Sequence, residues 1–94
     1  MATFTTRVEL HNATYTDYVA LHAAMERQGF SRQIRSDAGQ LYHLPTAEYD
    51  ISVSLNAADV VARAKFATSQ TRKAASILVT EATRRSWDSL PPVT

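Results

Sequence analysis

Three histidines, His11, His22 and His43, are the residues of this 94-residue chain whose charge switches near neutral pH, since an unperturbed imidazole titrates near ~6.5. There is no cysteine, so a thiolate nucleophile, a disulfide framework and a cysteine-ligated zinc are excluded. The chemistry open to such a set is proton transfer. Proton-transfer catalysis needs a base, an acid and cations beside the charge that develops. His22 and His43 are the candidate catalytic residues. Arg7, Arg32, Arg35 and Tyr42 are the candidate RNA-binding residues, through phosphate contacts and base stacking. Each also has a plainer role. His22 suits a partly buried helix position near Tyr15 and Glu26, and His43 an idle surface position. His11, beside a turn, suits local hydrogen bonding. The arginines suit a mixed-charge solvated face that Glu9, Glu48 and Asp50 dilute. Asp37, Glu48 and Asp50 could supply oxygen ligands, but no loop has cation-binding spacing. No metal site and no cofactor are expected.

These side chains need elements to hold them. In 4-FTTRVEL-10, Phe4, Thr6, Val8 and Leu10 alternate with Thr5, Arg7 and Glu9, the period of a half-buried strand. Thr14 followed by Asp17 is a helix-start signal. From Tyr15 to Gln28, Tyr18, Leu21, Met25 and Gly29 fall on one helical face, with Gly29 as the stop. A second strand is expected over 30-FSRQIRS-36, closed by the turn 37-DAG-39. The return arm runs through 40-QLYHL-44, bends at Pro45, which cannot donate to a ladder, and continues as the alternating 48-EYDISVSL-55. Asn56 and Asp59 open a second helix in a capping-box arrangement. Its expected buried stripe is Val60, Ala64, Ala67 and Thr71, with Val61 beside it and Phe66 off it. A last strand lies within 72-RKAASILVTEA-82, where Ile77 and Val79 alternate with Ser76, Leu78 and Thr80.

The order strand, helix, strand, strand, helix, strand predicts an α+β, ferredoxin-like βαββαβ fold. Its expected form is a four-stranded antiparallel sheet with two helices on one face. Residues 1–82 form that single domain, and 83–94 form a polar C-terminal tail. In the tail, Arg84 and Arg85 precede Trp87, which is expected to pack over a sheet edge.

Four pieces, 12-NATYTDYV-19, the Met25 to Phe30 helix end, the stem 30-FSRQIRSDAG-39 and 49-YDISVSLNAADV-60, together resemble the GhoS-like endoribonuclease antitoxins of type V toxin–antitoxin systems. The resemblance reaches to about Lys65. It implies a ferredoxin-like fold akin to the small CRISPR adaptation ribonucleases. It also implies cleavage of the messenger of a membrane-toxin partner. The family's basic residue on helix one falls at about His22, where a titratable group replaces a permanent cation.

The bulk composition agrees with a globular chain, at 45% hydrophobic and 20% charged residues. A net charge of +1 gives no strong overall field, so any hold on RNA rests on a local patch. The opening MATFTTRVEL lacks the apolar run of a signal peptide, and no segment approaches a membrane span, so the expected place is the cytoplasm and no membrane partner is expected. A chain of this length buries only ~60–65% of its unfolded surface, which favours a homodimer, with off-stripe Phe66 as a contact. The expected function is that of a small RNA-acting protein that cuts a toxin messenger without metal. The alternative is a non-catalytic interaction module or small regulator, from a mobile element or phage, that binds a partner protein.

Overall fold

In the computed structural model, which describes residues 1–94, the elements run β1 (Ala2–Leu10), α1 (Tyr15–Arg27), β2 (Gln33–Arg35), β3 (Leu41–His43), β4 (Glu48–Val53), α2 (Ala57–Ser69) and β5 (Ala75–Ala82). β1 is the centre of a three-stranded antiparallel sheet in the order β4-β1-β5. Arg7 stands opposite Glu48 on one side and Leu78 on the other. β2 and β3 form a separate two-stranded hairpin. No helix is long and apolar enough to cross a membrane.

The mixed α+β class is as the sequence predicts, but the continuous four-stranded sheet is not. Two backbone events split it. The return arm stops at His43, and past Pro45 the chain takes φ 70° at Ala47 before β4 begins. The expected 30–36 strand also shrinks to three residues, because the Ser31 hydroxyl accepts the Gln33 N–H at 3.0 Å and bends the chain there. One antiparallel bridge, Ser31 to Asp50, is all that ties the start of this arm to β4.

Thr14 caps α1 in a complete capping box, its hydroxyl accepting from Asp17 N–H while the Asp17 carboxylate accepts from Thr14 N–H, an arrangement worth about 1 kcal/mol. These bonds hold the Asp17 carboxyl below its ordinary pKa, with a Lys73 ammonium 3.8 Å away adding to them. At α2 the Asn56 side chain accepts from Asp59 N–H at 2.8 Å, but the reciprocal bond is not made. Gly29 ends α1 at φ +91°. Only Ile51 and Arg63 atoms lie near the position of an added Cβ, at 3.8 and 3.9 Å, so it is the left-handed backbone rather than crowding that calls for glycine.

Phe4, Val8 and Leu10 of β1 share one buried cluster with Leu21, Ala24 and Met25 of α1 and with Val60, Ala64 and Ala67 of α2. Both helices therefore cover the face of β1 that carries the even-numbered residues. The helical stripes differ from expectation by one position each. Ala24 is buried where Tyr18 lies at the rim, and Thr68 is buried where Thr71 falls beyond the helix end. Tyr18 stays outside because its hydroxyl accepts the Leu10 N–H at 3.0 Å at the strand's end.

Thr6 is fully buried in this layer and its hydroxyl has no hydrogen-bond partner. An unpaired buried hydroxyl costs roughly 1–3 kcal/mol. Thr6→Val removes it at nearly constant volume, so the expected result in urea unfolding is a gain of about 1 kcal/mol. A loss of stability would show that the hydroxyl has a partner after all.

Candidate functional site

Two α1 side chains meet the sheet by polar contacts, Tyr18 at the Leu10 N–H and His22 on β4. His22 Nδ1 lies 2.7 Å from Tyr49 Oη, and the two rings are tilted at 55° with centroids 5.8 Å apart. Tyr49 is wholly buried on β4, and Phe30 meets it edge-on at 6.4 Å. Tyr49 reaches this place by the strand's alternation, which turns Tyr49 and Ile51 inward and leaves Glu48, Asp50 and Ser52 on the other face. Burial pushes the Tyr49 hydroxyl well above its ordinary pKa, against a weaker downward pull from Arg32. It therefore stays protonated at neutral pH.

His22 is half-buried. Burial is the main reason that its pKa falls below 6.5; the Arg32 cation lowers it further, and Glu26 opposes both. The imidazole is thus largely neutral at pH 7. The unfolded chain takes up a proton at His22 at higher pH than the folded one. Its contribution to stability is accordingly present above pH 6.5 and is lost as pH falls through the lowered folded value. Two tautomers fit the 2.7 Å contact. If Nδ1–H donates to Tyr49 Oη, Nε2 keeps its lone pair and can act as a base. If Tyr49 donates, Nε2–H is a donor.

Of the six candidates, His22 and Arg32 are linked through charge alone, the Arg32 cation lowering the His22 pKa. Arg32 could share the open face with Arg7 only if the register permitted, and it does not: Ser31 pairs with Asp50 on the open side, so alternation gives Arg32 the other side, where its charge reaches Tyr49 and His22. Arg7 is exposed on the open face and makes no ion pair, since the two in the molecule are Lys73–Asp17 and Arg85–Asp50. Arg35 donates from Nη1 to Gly39 O at 2.6 Å across the hairpin turn. Tyr42 packs against Trp87, with centroids 5.6 Å apart. His43 is exposed, and its backbone N–H donates to Pro91 O at 2.9 Å. No hydrogen bond joins its imidazole to the His22 cluster. His11 Nε2 lies 2.9 Å from Ser76 Oγ, a link between neighbouring strand ends. No three of the histidine and carboxylate side chains are grouped as metal ligands.

Sequence reasoning missed two parts of this arrangement. One is Tyr49 as the partner of His22, 27 residues apart. The signal was available: a tyrosine on the inward face of a strand needs a partner for its hydroxyl. The other is how the tail is anchored apart from Trp87, whose packing on a sheet was expected and is seen against Tyr42. Arg85 Nη1 donates to Asp50 Oδ1 at 2.6 Å and to Thr5 Oγ1 at 3.2 Å, crossing the sheet face opposite the helices. Farther on, Val93 N–H donates to Leu41 O at 2.9 Å, and Pro92 pairs with Tyr42. The bonds at this bridge use Pro91 O and Val93 N–H, so Pro92 sits where the pairing asks no N–H of it.

No protein-family model and no curated protein sequence matches this chain.

Proposed function

We propose that this protein acts on RNA as a metal-independent endoribonuclease, with His22 as the general base and Arg32 as the cation beside the phosphate. The observation that carries this reading is the His22–Tyr49 contact, which holds a half-buried imidazole in orientation from behind; the Arg32 charge acts on that imidazole and helps keep it neutral. In the tautomer with Nδ1–H on Tyr49, Nε2 takes the proton of a ribose 2′-hydroxyl. The 2′-oxygen attacks phosphorus, the P–O5′ bond breaks, and the 5′-oxygen takes a proton from His43 or from water. The products are a 2′,3′-cyclic phosphate and a 5′-hydroxyl.

The strand order supports reading the fold as a broken ferredoxin-like sheet, since the Ser31–Asp50 bridge puts the β2 arm beside β4. That arrangement, and the resemblance to the endoribonuclease antitoxins, favour a toxin messenger as the substrate. The test is incubation of single-stranded RNA with chelator-treated protein, followed by end-group analysis. Cyclic phosphate ends are expected. Intact RNA at high protein concentration would sink the catalytic reading.

The second reading, a non-catalytic protein-interaction module, draws on exposed apolar side chains. Leu78 on the open face is 64% exposed and Phe66 on α2 is 57% exposed. A homodimer through α2 belongs to either reading.

A further inference from the structure

The tail does more than cover the sheet. Between residues 82–87 and the turn of the β2–β3 hairpin runs a groove of about 650 Å³, within the ~300–1,000 Å³ range of small-ligand sites. Its floor includes Ile34, which is 3% exposed yet stands apart from the main core cluster. Its walls bring in Arg35, Arg84 and Arg85 with Asp37; the Asp50 carboxylate neutralises Arg85, so three positive charges less two negative leave +1, carried on Arg35 and Arg84. The three cations are not equally committed. Arg85 is anchored to Asp50, and Arg35 spends one donor on Gly39 O. Arg84 is exposed and belongs to neither ion pair of the molecule. Trp87 lines the same groove, half-buried and tilted at 61° to Tyr42 rather than stacked on it.

We propose that this groove binds single-stranded RNA, with Arg84 and Arg35 on phosphate oxygens and a base stacked on Trp87. A cationic track beside an aromatic ring is how proteins hold single strands without reading sequence. Arginine's planar fork suits phosphate. The groove is too small for a duplex and fits a nucleotide or two. The site deepens the RNA reading and rests on it, but its residues are separate from the His22 cluster, so the two can fail independently.

The probe is a fluorescein-labelled 2′-O-methyl oligouridylate, which has no free 2′-hydroxyl and cannot be cut through that oxygen. Anisotropy reports its binding, and quenching of Trp87, the sole tryptophan, reports whether the groove is occupied. The parent is expected to bind with quenching. Arg84→Ala is expected to weaken binding several-fold and flatten the salt dependence by ~0.7 in log–log slope, one single-strand phosphate contact. Trp87→Ala is expected to weaken it roughly 5- to 150-fold, the range for losing one stacked base. Trp87→Phe keeps a ring to pack on Tyr42 and recovers much of that loss. Unchanged affinity in Arg84→Glu and Trp87→Ala overturns the groove assignment while leaving His22 chemistry untouched. Absence of binding by the parent overturns it too. Displacement of the probe by polyglutamate at equal charge concentration would show a reader of charge alone, which also overturns an RNA site.

Discussion

His22→Gln is expected to lower RNA cleavage by about 10²-fold or more, the usual worth of a positioned general base. Glutamine is the informative replacement because its amide can still hydrogen-bond Tyr49 Oη, which His22 Nδ1 meets at 2.7 Å, while it cannot accept a proton at neutral pH. Its circular dichroism and unfolding midpoint should stay near those of the parent. Arg32→Gln should lower the rate as well. It also lets the His22 pKa rise toward its ordinary value, because the Arg32 cation is one of the two causes that depress it. Equal cleavage by His22→Gln and parent would assign the activity to other groups, with His43→Ala the next variant to measure.

Tyr49→Ala is the substitution expected to cost most in stability. Tyr49 is fully buried, holds His22 and touches Phe30. Truncating a buried aromatic to alanine costs roughly 3–5 kcal/mol, against about 5–15 kcal/mol for a whole small domain. At ~4–8 °C per kcal/mol for a domain of this size, the thermal midpoint should collapse or the chain fail to fold. Tyr49→Phe separates the two roles of the residue. It keeps the ring in the core and removes only the hydroxyl, so about 1 kcal/mol of stability is at stake. It also frees the choice of His22 tautomer, so cleavage should fall even in the folded variant. A Tyr49→Ala protein with an unchanged midpoint would mean that this ring is not a core element.

Particular residues show how much of this was legible in the sequence. The alternation of 4-FTTRVEL-10 places β1 and its buried face correctly, because a half-buried strand must repeat every two residues. Thr14 with Asp17 marks the start of α1 to the residue, since a cap is a local bond between near neighbours. What failed depends on backbone bends that residue type does not announce and on contacts between distant residues. The split of the sheet follows from the Ser31 hydroxyl turning back on Gln33 and from Ala47 at positive φ. Neither residue type announces such a conformation. Whether Arg32 shares a face with Arg7 hangs on the register between strands, which the sequence does not give; the Ser31–Asp50 pairing puts Ser31 on that face and Arg32 on the other. His22 and Arg32 were legible as candidates by residue type alone. Their link through charge was not, since it depends on α1 packing against the arm that carries Tyr49. In the tail the packing of Trp87 on a sheet was legible from its bulk and apolarity, and it meets Tyr42 of β3; the Arg85–Asp50 pair and the Pro92–Tyr42 pairing were not, because both join residues far apart in the chain.

The most direct test of the central claim is the pH dependence of single-turnover RNA cleavage by the chelator-treated parent and by His22→Gln. Base catalysis requires neutral His22, and burial with the Arg32 charge sets its pKa below 6.5. The parent's rate should therefore rise with pH through a midpoint below 6.5 and level off before neutrality. In His22→Gln that rising limb should vanish along with about two decades of rate. A His22→Gln protein that keeps both the rate and the rising limb would contradict the account, leaving the His22–Tyr49 contact as a structural bond between helix and sheet.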